Sequence, residues 1–96
     1  VHGGAALVAP CRLTPEAVAA VEAGAALAPL HNPANLAGIR ALERLVPELP
    51  QFASFDTAFH ATVPEVASAY ALPRSWREAG LRRYGFHGIS FQSLVE

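Results

Sequence analysis

Gln51-Phe52-Ala53-Ser54-Phe55-Asp56-Thr57-Ala58-Phe59-His60 is the stretch on which the fold of this chain turns. Its first half alternates aromatic and small residues, the pattern of a short strand. It stops at Asp56-Thr57, and Asp56 is the only aspartate present. A carboxylate at the carboxyl end of a strand is where α/β folds meet their ligands. A turn-forming aspartate bonding its own backbone reads the same locally. Both readings stay open at this level.

Upstream of this stretch the pattern is helical. Thr14-Pro15-Glu16 combines an N-cap, a proline at the first helical position and an acid in the first turn. Val18, Val21 and Ala25 then mark one face of a helix to about Leu27. Asn32-Pro33 reads as a second cap and first helical residue, with Leu36, Ile39, Leu42 and Val46 as the apolar stripe. Arg40, Glu43 and Arg44 face water, and Pro47 and Pro50 end the helix. Leu7 to Leu13 is a short strand interrupted by Pro10, which confines it to an edge or an end.

Downstream, Thr62-Val63-Pro64-Glu65 opens a short helix and Ser75 to Glu78 makes one helical turn. Arg83 to Phe86 reads as a strand end, His87-Gly88 as a turn, and Ser90 as the cap of a helix running to Glu96. Helices alternating with short strands predict an α/β arrangement. Residues 1–96 read as a single domain, because a chain of this length holds only one core.

Composition excludes several classes. Hydrophobic residues make up 52% and charged residues 16%, which rules out a disordered solvating tail. A net charge of −1 and the lack of a basic stripe give non-specific nucleic-acid binding no electrostatic support. The longest uncharged stretch, Ala23 to Ile39, is broken by Gly24, Pro29, His31, Asn32 and Pro33. No segment reaches the roughly 20 consecutive apolar residues that a membrane helix needs. Cys11 is alone, so no intrachain disulfide staples the fold. A start at Val1 rather than Met, with no signal-peptide pattern, points to a fragment or processed piece.

Several chemistries fail on motif grounds. The histidines His2, His31, His60 and His87 are far apart in sequence, and none pairs with Cys11 at zinc-ligand spacing. No G-x-S-x-G elbow is present, and a chain without lysine has no Walker loop. Each histidine nevertheless falls at a loop or element end, where polar side chains converge on ligands. For any single one, a capping or core-satisfied histidine is the plainer reading.

Four words carry more. Val1-His2-Gly3-Gly4, Leu27-Ala28-Pro29-Leu30-His31-Asn32-Pro33-Ala34-Asn35-Leu36, Phe55-Asp56-Thr57-Ala58-Phe59-His60 and Arg82-Arg83-Tyr84-Gly85-Phe86-His87-Gly88 resemble the acetate kinase family of carboxylate kinases in order and spacing. The resemblance spans Val1 to Val95. It implies a fragment of an actin/hexokinase-like (ribonuclease-H-like) kinase fold, taken from the amino-terminal half of a cytoplasmic homodimer. It implies transfer of the γ-phosphoryl group of ATP, with Mg²⁺, to acetate or propionate.

By position, Asp56 matches the family's catalytic aspartate. His87 matches the histidine that stabilises the transition state, and His31 a further active-site histidine. Val1, Leu30 and Phe86 match the apolar pocket for the substrate methyl. The family's substrate arginine, glycine-rich nucleotide loops and metal-binding acid would lie outside these residues, so this piece alone is expected to be inactive. Ser54, Ala61, Val63, Ile89 and Phe91 depart from the residues the family more often has. Phe52, Phe55, Leu42 and Trp76 are expected to pack partly against other segments, leaving an apolar patch. The alternative from a different class is a stand-alone α/β binding or interaction module whose histidines serve structure only.

Overall fold

A computed structural model describes residues 1–96. Two very short strands, β1 (Cys11–Arg12) and β2 (Phe52–Ala53), pair antiparallel with Cys11 opposite Ala53 and Arg12 opposite Phe52. The main helices are α1 (Pro15–Ala23) and α2 (Asn32–Leu45). Short helices α3 (Glu65–Ser68) and α4 (Arg74–Glu78) precede α5 (Gly88–Val95). Tight 3₁₀ turns follow α1 at Gly24–Ala26 and occupy Ala58–Thr62 after β2.

Helix α1 begins as its sequence dictates. The Thr14 hydroxyl accepts the Ala17 N–H at 3.3 Å, and Pro15 needs no donor there. Glu16 is held below the usual carboxylate range by its own backbone N–H and by the Thr14 hydroxyl. The regular helix stops at Ala23, earlier than the apolar spacing predicts, and tightens into the 3₁₀ turn at Gly24. A Cβ on Gly24 would lie 3.2 Å from the Asn32 amide nitrogen, so the close crossing favours a residue without one.

Helix α2 corrects one expectation. Asn32 does not cap it. Its side chain is fully buried, accepting the His2 N–H at 2.9 Å and donating to the carbonyls of His2 and Val21 at 3.2 and 3.0 Å. A primary amide has one acceptor and two donors. Here it satisfies three main-chain groups that would otherwise be buried unpaired, a stronger demand than one helix cap. Leu36 and Ile39 are buried, whereas Leu42 and Val46, further along the predicted stripe, are exposed. Arg40 pairs with Glu22 of α1 at 2.8 Å, an exposed bridge worth about 0–1 kcal/mol.

Three further readings change. Arg83–Phe86 forms no strand, because the Arg83 N–H donates to the Ser68 carbonyl and the Phe86 carbonyl faces His60. Ser90 lies inside α5, which starts two residues earlier, and His87 occupies the cap position. Helix α3 starts after Pro64, while Thr62 closes the preceding 3₁₀ turn.

The core is small. Val21, Leu36 and Phe55 form its centre, with Val1, Leu7, Cys11, Val18, Ala53 and Ala58 packed against it. Phe55 is 2% exposed, which corrects its expected place in an apolar patch, while Phe52, Leu42 and Trp76 are exposed as expected. The accessible surface is 6746 Å², against about 5,300 Å² for a compact monomer of this mass. The excess is carried by apolar side chains such as Leu30, Phe52 and Val66.

Candidate active site

The site is built on the loop Val1–Gly4 laid against residues 55–57. The Asp56 N–H donates to the Val1 carbonyl at 3.0 Å, and the Gly3 N–H donates to the Thr57 hydroxyl at 3.0 Å. Glycine is required at position 3, since a Cβ there would fall 2.1 Å from the Leu7 carbonyl oxygen. His2 is buried and its Nδ1 accepts the Gly4 N–H at 2.9 Å, so that nitrogen carries no proton. The rings of Tyr84 and Phe86 meet the imidazole edge-on, at centroid distances of 4.7 and 5.4 Å. Burial lowers its pKa from the ordinary histidine value.

Asp56 fastens the opposite wall. Its Oδ2 accepts the His87 N–H at 2.7 Å, and its carbonyl accepts the Gly88 N–H at 2.8 Å. His87 takes the left-handed conformation, φ 56° and ψ 27°, which is sparsely populated for residues other than glycine. A Cβ on Gly88 would lie 2.4 Å from the Asp56 carbonyl oxygen, so only glycine admits this approach. The local question of whether Asp56 forms an Asx turn has a tertiary answer. Its carboxylate bonds a residue thirty-one positions away, not its own turn.

Between the two walls lies an open cleft of about 360 Å³. His31, Asp56 and His87 line it together with Val1 and Phe86. Of the six residues matched by position to the family's site, only Leu30 lies outside, 84% exposed. Ala28 and Ile89 extend the apolar lining, and His2 and Asn35 add polar groups. Asn35 escaped sequence reading, although its place one helical turn after His31 was a usable signal. Its amide donates to the His31 carbonyl at 2.9 Å and so braces the first turn of α2. No group of three or more His, Cys, Asp or Glu side chains is placed to hold a metal ion.

This arrangement offers three histidines, His2, His31 and His87, and the Asp56 carboxylate around a space with an apolar side. Such a cleft, with hydrogen-bonding groups on one side and apolar groups on another, has the chemistry to take a small amphiphilic anion.

Residues 1–96 match the model of the Acetokinase family from end to end. The chain belongs to that family. Acetate kinases of Rhodopseudomonas palustris and Deinococcus radiodurans are 56% and 57% identical to it over 95 and 91 residues. Those alignments cover 99% and 94% of this chain but 24% and 23% of the relatives. A propionate kinase structure from Francisella tularensis superposes with a TM-score of 0.87 at 44% identity, covering 92% of this chain and 23% of that one. The acetate kinase structure from Entamoeba histolytica gives 0.86 at 29% identity, covering 97% and 24%. This acetokinase chain therefore spans about a quarter of the length of the relatives it matches. Its mixed helix-and-strand architecture is that of the corresponding part of the acetate and propionate kinase fold. Family membership sets aside the alternative of an unrelated small α/β binding module.

Proposed function

We propose that the protein carrying this chain is an ATP-dependent carboxylate kinase acting on acetate or propionate, and that this segment supplies part of its phosphoryl-transfer site. The carboxylate oxygen attacks the γ-phosphorus of ATP. The bond from that phosphorus to the β–γ bridging oxygen breaks, and the products are an acyl phosphate and ADP. The transferring group spreads negative charge over three equatorial oxygens, so hydrogen-bond donors aimed there lower the barrier. His31 and His87 are in our reading those donors. Val1 and Phe86 hold the alkyl end of the substrate. The observation that carries this reading is the convergence of His31, Asp56 and His87 on one cleft with an apolar side.

Asp56 needs no role as a base, because a carboxylate nucleophile, with an ordinary pKa near ~4, is already ionised at pH 7. Its bond to the His87 N–H supports a positioning role instead. The negative charge of Asp56 among anionic reactants also calls for a cationic group facing it. In this reading Mg²⁺ and most contacts to ATP come from the rest of the protein. No helix here is long and apolar enough to cross a membrane. The same reading places the enzyme in the cytoplasm as a homodimer.

The test is acyl-phosphate formation by the full-length protein with ATP and acetate, propionate or butyrate. Turnover is expected with acetate or propionate. A purified, folded protein that phosphorylates none of the three overturns the reading.

A further inference from the structure

The peptide unit joining Phe86 to His87 is held at both of its polar ends. His60 Nε2 lies 2.8 Å from the Phe86 carbonyl oxygen, and the His87 N–H donates to Asp56 Oδ2 at 2.7 Å. A carbonyl only accepts, so His60 carries a proton on Nε2 in this contact. The two side chains that grip this plane sit four residues apart, His60 belonging to the 3₁₀ turn Ala58–Thr62 just after Asp56. One short segment thus fixes a single peptide plane from both sides.

The His60 ring is itself wedged in place. It meets the rings of Phe59 and Phe91 edge-on at 5.3 and 5.6 Å. On its other side the Gly85 backbone comes so close that a Cβ there would lie 2.3 Å from His60 Cγ. Turning the 86–87 peptide plane would change ψ of Phe86 and φ of His87 together. That φ is +56°, in a region that persists only where neighbours hold it. The side chains on either side of the plane, Phe86 and His87, both line the cleft, whereas His60 does not.

We propose that His60 is a positioning residue of the transfer site: its Nε2–H bond to the Phe86 carbonyl, opposite the Asp56 bond, sets the peptide plane from which Phe86 and His87 enter the cleft. The inference rests on the carboxylate-kinase reading and deepens it, since one clamp then orients both Phe86 of the substrate cup and His87, the hydrogen-bond donor to the transferring group. Glutamine and asparagine separate this role from packing alone. The amide nitrogen of glutamine falls near the position of Nε2, whereas that of asparagine falls near Nδ1, short of the carbonyl. Phenylalanine keeps the ring and its packing but has no donor.

The experiment measures kcat and KM for acetate at saturating ATP in full-length wild type, His60→Gln, His60→Asn and His60→Phe, with thermal unfolding of each. Glutamine is expected to stay within about threefold of wild-type kcat. Asparagine and phenylalanine should lose about tenfold or more, as for a misplaced catalytic group, with Gln and Asn unfolding at similar temperatures. Wild-type kcat in His60→Phe, or equal losses in Gln and Asn, overturns the clamp. Should the Phe variant not fold, the Gln–Asn comparison decides alone. A wild type that makes no acyl phosphate overturns the functional reading instead. The clamp is then read from imidazole ¹⁵N shifts: a proton on His60 Nε2 supports it, and a proton on Nδ1 alone overturns it.

Discussion

Asn32 and His2 bond each other in both directions, the Asn32 Oδ1 accepting the His2 N–H at 2.9 Å and its Nδ2 donating to the His2 carbonyl at 3.2 Å. The same amide reaches the Val21 carbonyl, so one side chain joins the Val1–Gly4 loop to α1 and α2. The wall bearing Val1 and the helix start bearing His31 are thereby fixed relative to one another.

Asn32→Leu should remove all three bonds and leave buried main-chain groups unpaired. At about 1–3 kcal/mol per orphaned group, a loss of at least ~2 kcal/mol is expected. Urea unfolding of the protein measures it. A loss below about half a kcal/mol would mean that the amide is not holding these segments.

Asp56 and His87 should behave as one unit in turnover. Asp56→Ala, which removes the acceptor of the His87 N–H, and His87→Ala are each expected to lower kcat on the order of 10²–10³. The double variant should lose little more than the worse single one, because each change disables the same wall. Steady-state kinetics of the two singles and the double test this. Multiplicative losses, or an Asp56→Ala enzyme with wild-type turnover, would refute the coupling.

Gly88→Ala should force α5 away from Asp56, since the new Cβ would meet the Asp56 carbonyl oxygen at 2.4 Å. The contact is with backbone, so no side-chain rotation relieves it. A fall in kcat comparable to that of His87→Ala, with a lowered melting temperature, is the expected pair of results. Gly38→Ala is the control, because a Cβ there meets nothing within 4 Å.

Acid should destabilise the fold through His2. Burial lowers its pKa in the folded state below the 6.5 of the unfolded chain. Between those two values the unfolded state binds more protons, so stability falls as pH falls. Above 6.5 the group adds no slope. Its share of the slope within the window is at most about 1.4 kcal/mol per pH unit. In His2→Asn, whose Oδ1 can still accept the Gly4 N–H, that share should vanish. Urea midpoints from pH 7.5 downward compare the two proteins, and identical slopes would count against His2.

Enlarging the apolar end of the cleft should favour longer acids. Val1→Ala is expected to raise kcat/KM for propionate or butyrate relative to acetate. One methylene is worth ~1–3 kcal/mol in such a pocket. Unchanged relative rates across the three acids would show that Val1 does not bound the alkyl group.

Much of this was legible in the linear chain, for reasons that are local. Thr14-Pro15 started α1 because a cap and a proline satisfy the first turn without tertiary help. Pro47 lies just beyond the end of α2, as a residue without an N–H must. Asn32 has the local neighbourhood of a cap, while its actual partners, His2 and Val21, lie thirty and eleven residues away. Ser90 lies inside α5 for a similar reason: the helix starts at Gly88, whose N–H donates to the distant Asp56 carbonyl.

From its sequence alone the chain declared an α/β pattern, the acetokinase motifs and the identity of Asp56, His31 and His87 as residues to watch. Those are properties of residue type and short spacing, which need no partner to be read. Tertiary structure alone decided that His31, Asp56 and His87 share a cleft while Leu30 faces solvent. It alone put His87 in the left-handed region and set His60 and Asp56 on the two ends of one peptide unit. Such arrangements depend on hydrogen bonds between residues some thirty positions apart, and no local propensity encodes a bond whose acceptor arrives only when the chain has folded.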